Sequence, residues 1–171
     1  ARKIQLNSAY GAIGNQYFRY YNLRNAEAIT YGGQFSIRWI ENKMNEYLNR
    51  VLKTKGEDYV IASDTDSIYL NMGPLVETVY KGREKTDQSV VGFLNKISEM
   101  ELEPYIQSSY EELAEYVSAY DQKMIMKREN IASSGIWTAK KRYMLNVWDS
   151  EGVRYNKPKL KMMGIEAVKS S

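Results

Sequence analysis

Residues 59–72 read YVIASDTDSIYLNM, two apolar runs that meet at a pair of aspartates, Asp64 and Asp66. Val, Ile and Tyr on both sides favour extended backbone, and the Ser and Asp between them favour a turn. A hairpin is expected, with strands at 58–63 and 67–72 and Gly73-Pro74 closing the pair. Such a hairpin sets two carboxylates side by side. At roughly 5 Å and an effective dielectric near 20, their repulsion is on the order of 3 kcal/mol. A plain Asp/Ser turn accounts for the residue types but not for the charge. A divalent cation would neutralise the pair, and magnesium typically takes one or two carboxylates together with substrate phosphates.

The rest of the composition narrows the chemistry. The chain of 171 residues contains neither Cys nor His. That excludes a disulfide framework, a Ser-His triad, a His general base and zinc held by its usual ligands. Any metal must sit on oxygen, which favours magnesium, manganese or calcium. No apolar run approaches the length of a membrane span, so the chain is read as soluble, without a membrane partner. It does not begin with Met, and is read as a piece of a longer protein.

Periodicity divides the chain. Residues 2–14 repeat at helical spacing, with Lys3, Asn7, Tyr10, Gly11 and Gly14 on one face. A second helix is expected from an N-cap at Asn25, with Ile37, Ile40, Met44, Tyr47, Leu48 and Val51 as its apolar stripe and Gly56 as its stop. Residues 87–119 read as an acidic helical region that Pro104 breaks or kinks. After Asp121 the pattern turns to strands in KMIMKRENIA, GIWTAKKRYMLNVWD and YNKPKLKMMG, joined by turns at SSG and DSEG. The order implies an α+β fold with an antiparallel sheet.

Two further features point to phosphates. Lys3 is a point charge suited to them, Asn7 offers a donor and an acceptor, Tyr10 a flat ring, and Gly11 lets another molecule approach the backbone. Residues 121–171 carry eleven basic against five acidic side chains, a candidate face for a polyanion. A solvated lysine-rich surface would give the same count.

Three stretches, in order, resemble motifs of the family B DNA polymerases. KIQLNSAYG (Lys3 to Gly11) is similar to the K-x-x-x-N-S-x-Y-G motif, DTDS (Asp64 to Ser67) to the second catalytic motif, and KKRY (Lys140 to Tyr143) to the primer-binding motif. NQYFRYYNLRNAEAIT, WTAKKRYMLNVWD and KLKMMG resemble the replicative branch of T-even-like bacteriophages, so the likeness covers essentially the whole chain.

The resemblance implies an antiparallel palm sheet with a catalytic hairpin, packed by helices and preceded by a long fingers helix. Residues 1–55 would be that helix and its connection, and 56–171 an incomplete palm. It implies that Lys3 contacts the triphosphate of a deoxynucleotide while Asn7, Tyr10 and Gly11 line the nascent pair. Asp66 would be a ligand of a two-magnesium site, supported by Asp64, with Glu129 ordering the site nearby. Lys140, Lys141, Arg142 and Tyr143 would hold the primer end on its template, and Lys169 would reach the minor groove. The implied partners are primer–template DNA, deoxynucleoside triphosphates, a missing N-terminal polymerase segment, a thumb, and a sliding clamp through a further C-terminal part.

The family usually places Tyr-Gly before DTDS, and here Ala62-Ser63 stands instead. The family's first catalytic motif, D-x-x-S-L-Y-P, does not occur in the chain, which therefore carries one half of a two-metal site. Two other readings fit parts of the sequence. One is a glycosyltransferase whose D-x-D is Asp64 and Asp66, which leaves Lys3–Gly11 and KKRY unexplained. The other is a nucleic-acid-binding module without catalysis or metal.

Overall fold

The computed structural model describes residues 2–165. Helix α1 spans Arg2–Ile13 and helix α2 Leu23–Leu52, followed by the hairpin β1 (Val60–Asp64) and β2 (Ser67–Leu70). Helices α3 (Gly73–Val79), α4 (Asp87–Ile97) and α5 (Glu103–Tyr116) come next, then strands β3 (Asn130–Ala139), β4 (Arg142–Ser150) and β5 (Val153–Met163). The class is α+β, as the periodicity implies. The strands are all antiparallel and divide between two sheets, the β1–β2 hairpin and a β3-β4-β5 meander.

At 30 residues, α2 is about 45 Å long. Its cap is Asn22, three residues before the expected Asn25. The Asn22 side chain accepts from the Asn25 backbone N–H at 3.1 Å, so Asn25 is the first residue served by the cap rather than the cap itself. The helix stops at Lys53, whose φ of 56° is left-handed, and Gly56 lies in the turn beyond. Ile40, Met44 and Leu48 are fully buried as the apolar stripe requires, whereas Val51 is exposed. Ile40 and Met44 pack with Leu102, Ile106, Tyr110 and Leu113 of the α4–α5 segment, and Ile68 and Leu70 of β2 close the same core. The first half of α2 contributes only Ala26 to the buried set, and α1 packs along it.

Asparagines on the last turns of α2 fix the entry to the hairpin. Asn45 accepts from the Tyr59 backbone N–H at 2.8 Å and donates to Asp58 at 2.9 Å, and Asn49 accepts from the Glu57 N–H at 3.0 Å. The strands are shorter than the expected 58–63 and 67–72. Gly73-Pro74 does not close them: it opens α3, with Pro74 in the first turn, where no N–H is needed.

The acidic helical region runs on through Pro104. Residues Ser98–Leu102 form a π-turn between α4 and α5, and Pro104 falls in the first turn of α5. The widened turn makes room for the missing hydrogen bond and the bulk of the ring, so the segment stays helical past the proline.

The expected strand at KMIMKRENIA begins only at Asn130, and residues 123–129 are irregular. Ser133–Gly135 is not a turn either; it lies inside β3, where the register shifts. A Cβ on Gly135 would stand 2.7 Å from Leu145 and from the Trp137 ring, so packing demands glycine there. The β3–β4 turn falls on Lys140–Lys141, with Lys141 at φ 61°. DSEG does form the next turn, Glu151 and Gly152 both having positive φ as a type I′ turn requires.

Candidate functional site

At the hairpin tip Asp64 pairs with Ser67, leaving Thr65 and Asp66 as a two-residue loop. Thr65 has φ 56°, a left-handed conformation unusual for a β-branched residue and costing on the order of 1–3 kcal/mol. The Asp66 N–H reaches back to the Asp64 carbonyl at 2.6 Å. Thr65 Oγ1 donates to Asp64 Oδ1 at 3.0 Å, and Ser67 Oγ donates to the Asp64 carbonyl at 3.2 Å. The strained loop therefore holds both carboxylates at the tip. Asp64 is half-buried and Asp66 exposed, and neither forms an ion pair among the described residues.

An all-oxygen pair of this kind suits a hard divalent cation. Among the described residues no third Asp or Glu joins it in a metal-binding cluster, so the hairpin supplies part of a site. The negative charge is felt by two phenols. Tyr110 of α5 is raised above the usual phenol range, first by burial and then by the Asp66 carboxylate. Tyr69 of β2 is raised further, first by burial, then by the Tyr143 side chain and, more weakly, by the Asp64 carboxylate.

Tyr69 is where the hairpin meets the meander. Its ring stands edge-on to Trp137, with centroids 5.2 Å apart, and to Tyr143, 5.6 Å apart. Tyr143 lies opposite Trp137 in the β3–β4 ladder and opposite Met163 in the β4–β5 ladder. Lys140, Lys141 and Arg142 stand exposed at the adjoining turn. Gly164 packs against that turn, since a Cβ there would stand 2.3 Å from the Lys141 carbonyl. The hairpin that carries Asp64 and Asp66 thus meets the Lys140–Tyr143 turn through one aromatic cluster.

Other expected residues lie elsewhere or outside view. Tyr10 donates to Thr30 Oγ1 of α2 at 2.7 Å, because the Thr30 hydroxyl hydrogen is committed to the Ala26 carbonyl at 3.0 Å. Gly11 faces open space. Gly14 approaches Ala26, and a groove of about 340 Å³ lies between the helices. The side chains of Lys3 and Asn7, and the whole of Lys169, lie outside the described residues. Glu129 sits before the start of β3, where its carbonyl accepts from Glu151 N–H at 2.6 Å. That is the opposite end of the strand from Lys140, about 30 Å away.

Two groups of residues have no counterpart in the sequence reading. Tyr69 and Trp137 gave no signal beyond strand propensity, because their meaning lies in a partner on another sheet. Arg128 and Asp149 form a buried ion pair, Asp149 being 2% exposed, and Arg128 also bonds Asn95 of α4. Together with the bond from Arg128 N–H to Glu103 at 3.0 Å, this ties the meander to the α4–α5 segment.

No described helix is long and apolar enough to cross a membrane. No family model matches the chain. It is 48% identical over 178 residues to the DNA-directed DNA polymerase of Escherichia phage RB69, and 46% identical over 178 residues to that of Enterobacteria phage T4. Each comparison covers 99% of this chain and 20% of the relative, so the chain spans about a fifth of the length of the curated relatives it matches. Across almost its whole length, then, the chain is a relative of one fifth of these two phage DNA-directed DNA polymerases.

Proposed function

We propose that the chain is a segment of a family B DNA-directed DNA polymerase that transfers deoxynucleotides to a primer 3′-hydroxyl. The observation that carries this reading is the junction at Tyr69, which sets a carboxylate-tipped hairpin against a basic turn. A D-x-D loop alone would suit many phosphate enzymes. Joined to Lys140, Lys141, Arg142 and Tyr143, it suits one whose second substrate is a polyanion. The likeness to one fifth of two phage polymerases supports the same conclusion.

In this reading residues 1–55 are a fingers helix and its connection into the palm, and residues 56–171 belong to an incomplete palm. Asp66, exposed at the tip, is a metal ligand and Asp64 supports it. Magnesium, two ions in the complete site, would supply charge stabilisation to the attacking 3′-oxygen and the triphosphate. Lys141 and Arg142 bind the primer–template backbone, and Tyr143 places the primer end. Lys3 and Asn7 on α1 meet the triphosphate and the nascent pair together with Tyr10 and Gly11, and Lys169 reaches the minor groove. The opposing aspartate, the thumb and any clamp contact would come from other parts of the polymerase. Its place of work would be the host cytoplasm.

The test is a graft of the 171 residues in place of the matching fifth of the RB69 polymerase. Template-directed primer extension with magnesium is expected. A soluble graft that binds nucleotide-sugars in preference to primer–template, or that fails to extend primers, would overturn the reading.

A further inference from the structure

Tyr69 follows Asp66 by three residues, and its ring packs into the meander, where it contacts Trp137 and Tyr143. Those two rings also meet each other, at 6.4 Å between centroids and 31° between planes. Trp137 cannot swing aside freely, because its ring fills the space above Gly135, within 2.7 Å of where a Cβ would stand. The three rings meet one another in the tilted and edge-on arrangements that aromatic pairs favour. Tyr69 is half-buried and bears no charge, so it is poorly placed to touch DNA or metal itself.

Resting on the polymerase reading above, we infer that Tyr69 is a positioning residue that, through Tyr143, fixes where the primer end sits relative to Asp64 and Asp66. In-line transfer demands reacting atoms at contact distance and aligned, and a displacement of about 1 Å can cost on the order of 100-fold in rate. Binding is more forgiving, because the phosphate contacts of Lys140, Lys141 and Arg142 do not depend on the spacing to the hairpin. Loss of the Tyr69 ring should then lower kcat and leave affinity nearly untouched. A merely structural residue would lower the amount of active protein without separating the two.

The measurement uses the same grafted polymerase, with kcat, nucleotide KM and primer–template Kd determined for each variant. Tyr69→Leu is expected to lower kcat about tenfold or more, with KM and Kd within about twofold. Tyr69→Phe, which keeps the ring, is expected to restore kcat to within about threefold of the unaltered graft. If Tyr69→Leu does not fold, Tyr69→Trp, which keeps an aromatic ring but displaces its neighbours, must lower kcat in the same selective way. Unchanged kcat in the folded ring-altering variant, a loss confined to Kd, or a Phe variant as impaired as Leu would each overturn the role of Tyr69. These outcomes require a graft that extends primers, so they are distinct from failure of the polymerase reading, in which the unaltered graft does not extend them.

Discussion

The guanidinium of Arg128 donates to the buried carboxylate of Asp149 from one nitrogen and to the Asn95 side chain from the other. Asp149 also accepts from the Gly152 N–H at 3.1 Å, and Arg154 stands 4.0 Å away at the rim. The pair thereby joins the β4–β5 turn to α4. Removing one partner of a buried pair leaves the other charge uncompensated, at a cost of about 3–5 kcal/mol, whereas replacing both by apolar groups is often near neutral. Arg128→Met is therefore expected to lower the urea midpoint steeply, and Arg128→Met with Asp149→Leu to recover most of the loss. A double variant no more stable than the single one would show that the pair is not the source of the stability.

Thr65 gives the second expectation. Glycine has no steric penalty at φ 56°, and its greater freedom in the unfolded chain offsets part of that advantage. Thr65→Gly is expected to raise stability by about 0.5–1 kcal/mol while lowering nucleotide incorporation, because the Oγ1 bond to Asp64 and the fixed aim of the tip are lost. Thermal unfolding and primer extension by the graft check both halves. A fall in stability would mean that the threonine hydrogen bond outweighs the backbone strain.

Lys141 occupies a left-handed turn position, so alanine there would mix a backbone penalty with the loss of charge. Lys141→Asn avoids that. Primer–template binding is expected to weaken about equally across sequences, and the slope of log affinity against log salt to fall by about one unit if the lysine neutralises a phosphate. If the lysine instead donates in the minor groove, the slope barely moves and extension from mismatched ends changes. An effect confined to one DNA sequence would contradict both.

Tyr69 also predicts an alkaline weakness. Burial first, then Tyr143, raise its phenol above the ordinary value of 10.0, so the unfolded chain releases that proton at lower pH than the folded one. The resulting contribution to stability is complete below pH 10 and is lost as pH rises toward the folded value. Tyr69→Phe cannot ionise. It should therefore show a shallower fall in stability between neutral pH and pH 11 or so than the unaltered chain, in urea titrations at each pH. Equal slopes would mean that this phenol is not shielded.

The sequence carries its helices and its hairpin plainly, because periodicity and Asp/Ser turn chemistry are local signals. The errors share a cause. Asn22 and Asn25 are equivalent as candidate caps until the chain path before α2 is known. Ser133-Ser134-Gly135 looks like a turn by residue type, but Gly135 is there to make room for Trp137 and Leu145 across the sheet. The real turn, Lys140–Lys141, contains none of the residues that usually mark one. Pro104 reads as a break or a kink, and the π-turn that accommodates it leaves no local trace. In the candidate site, Asp64, Asp66 and KKRY are legible as motifs. Their juxtaposition is not, since it depends on Tyr69 meeting Tyr143 far along the chain.

The most direct test of whether the hairpin and the basic turn serve one reaction is single-turnover incorporation by the graft, with primer–template binding measured in parallel. Asp66→Ala is expected to abolish incorporation while leaving binding largely intact, because no His or Cys in the chain can replace the lost oxygen ligand. Lys141→Asn is expected to weaken binding yet keep most of the rate once DNA is saturating. Near-normal incorporation by the Asp66→Ala graft with magnesium would contradict the assignment, as would primer–template binding that is indifferent to Lys141.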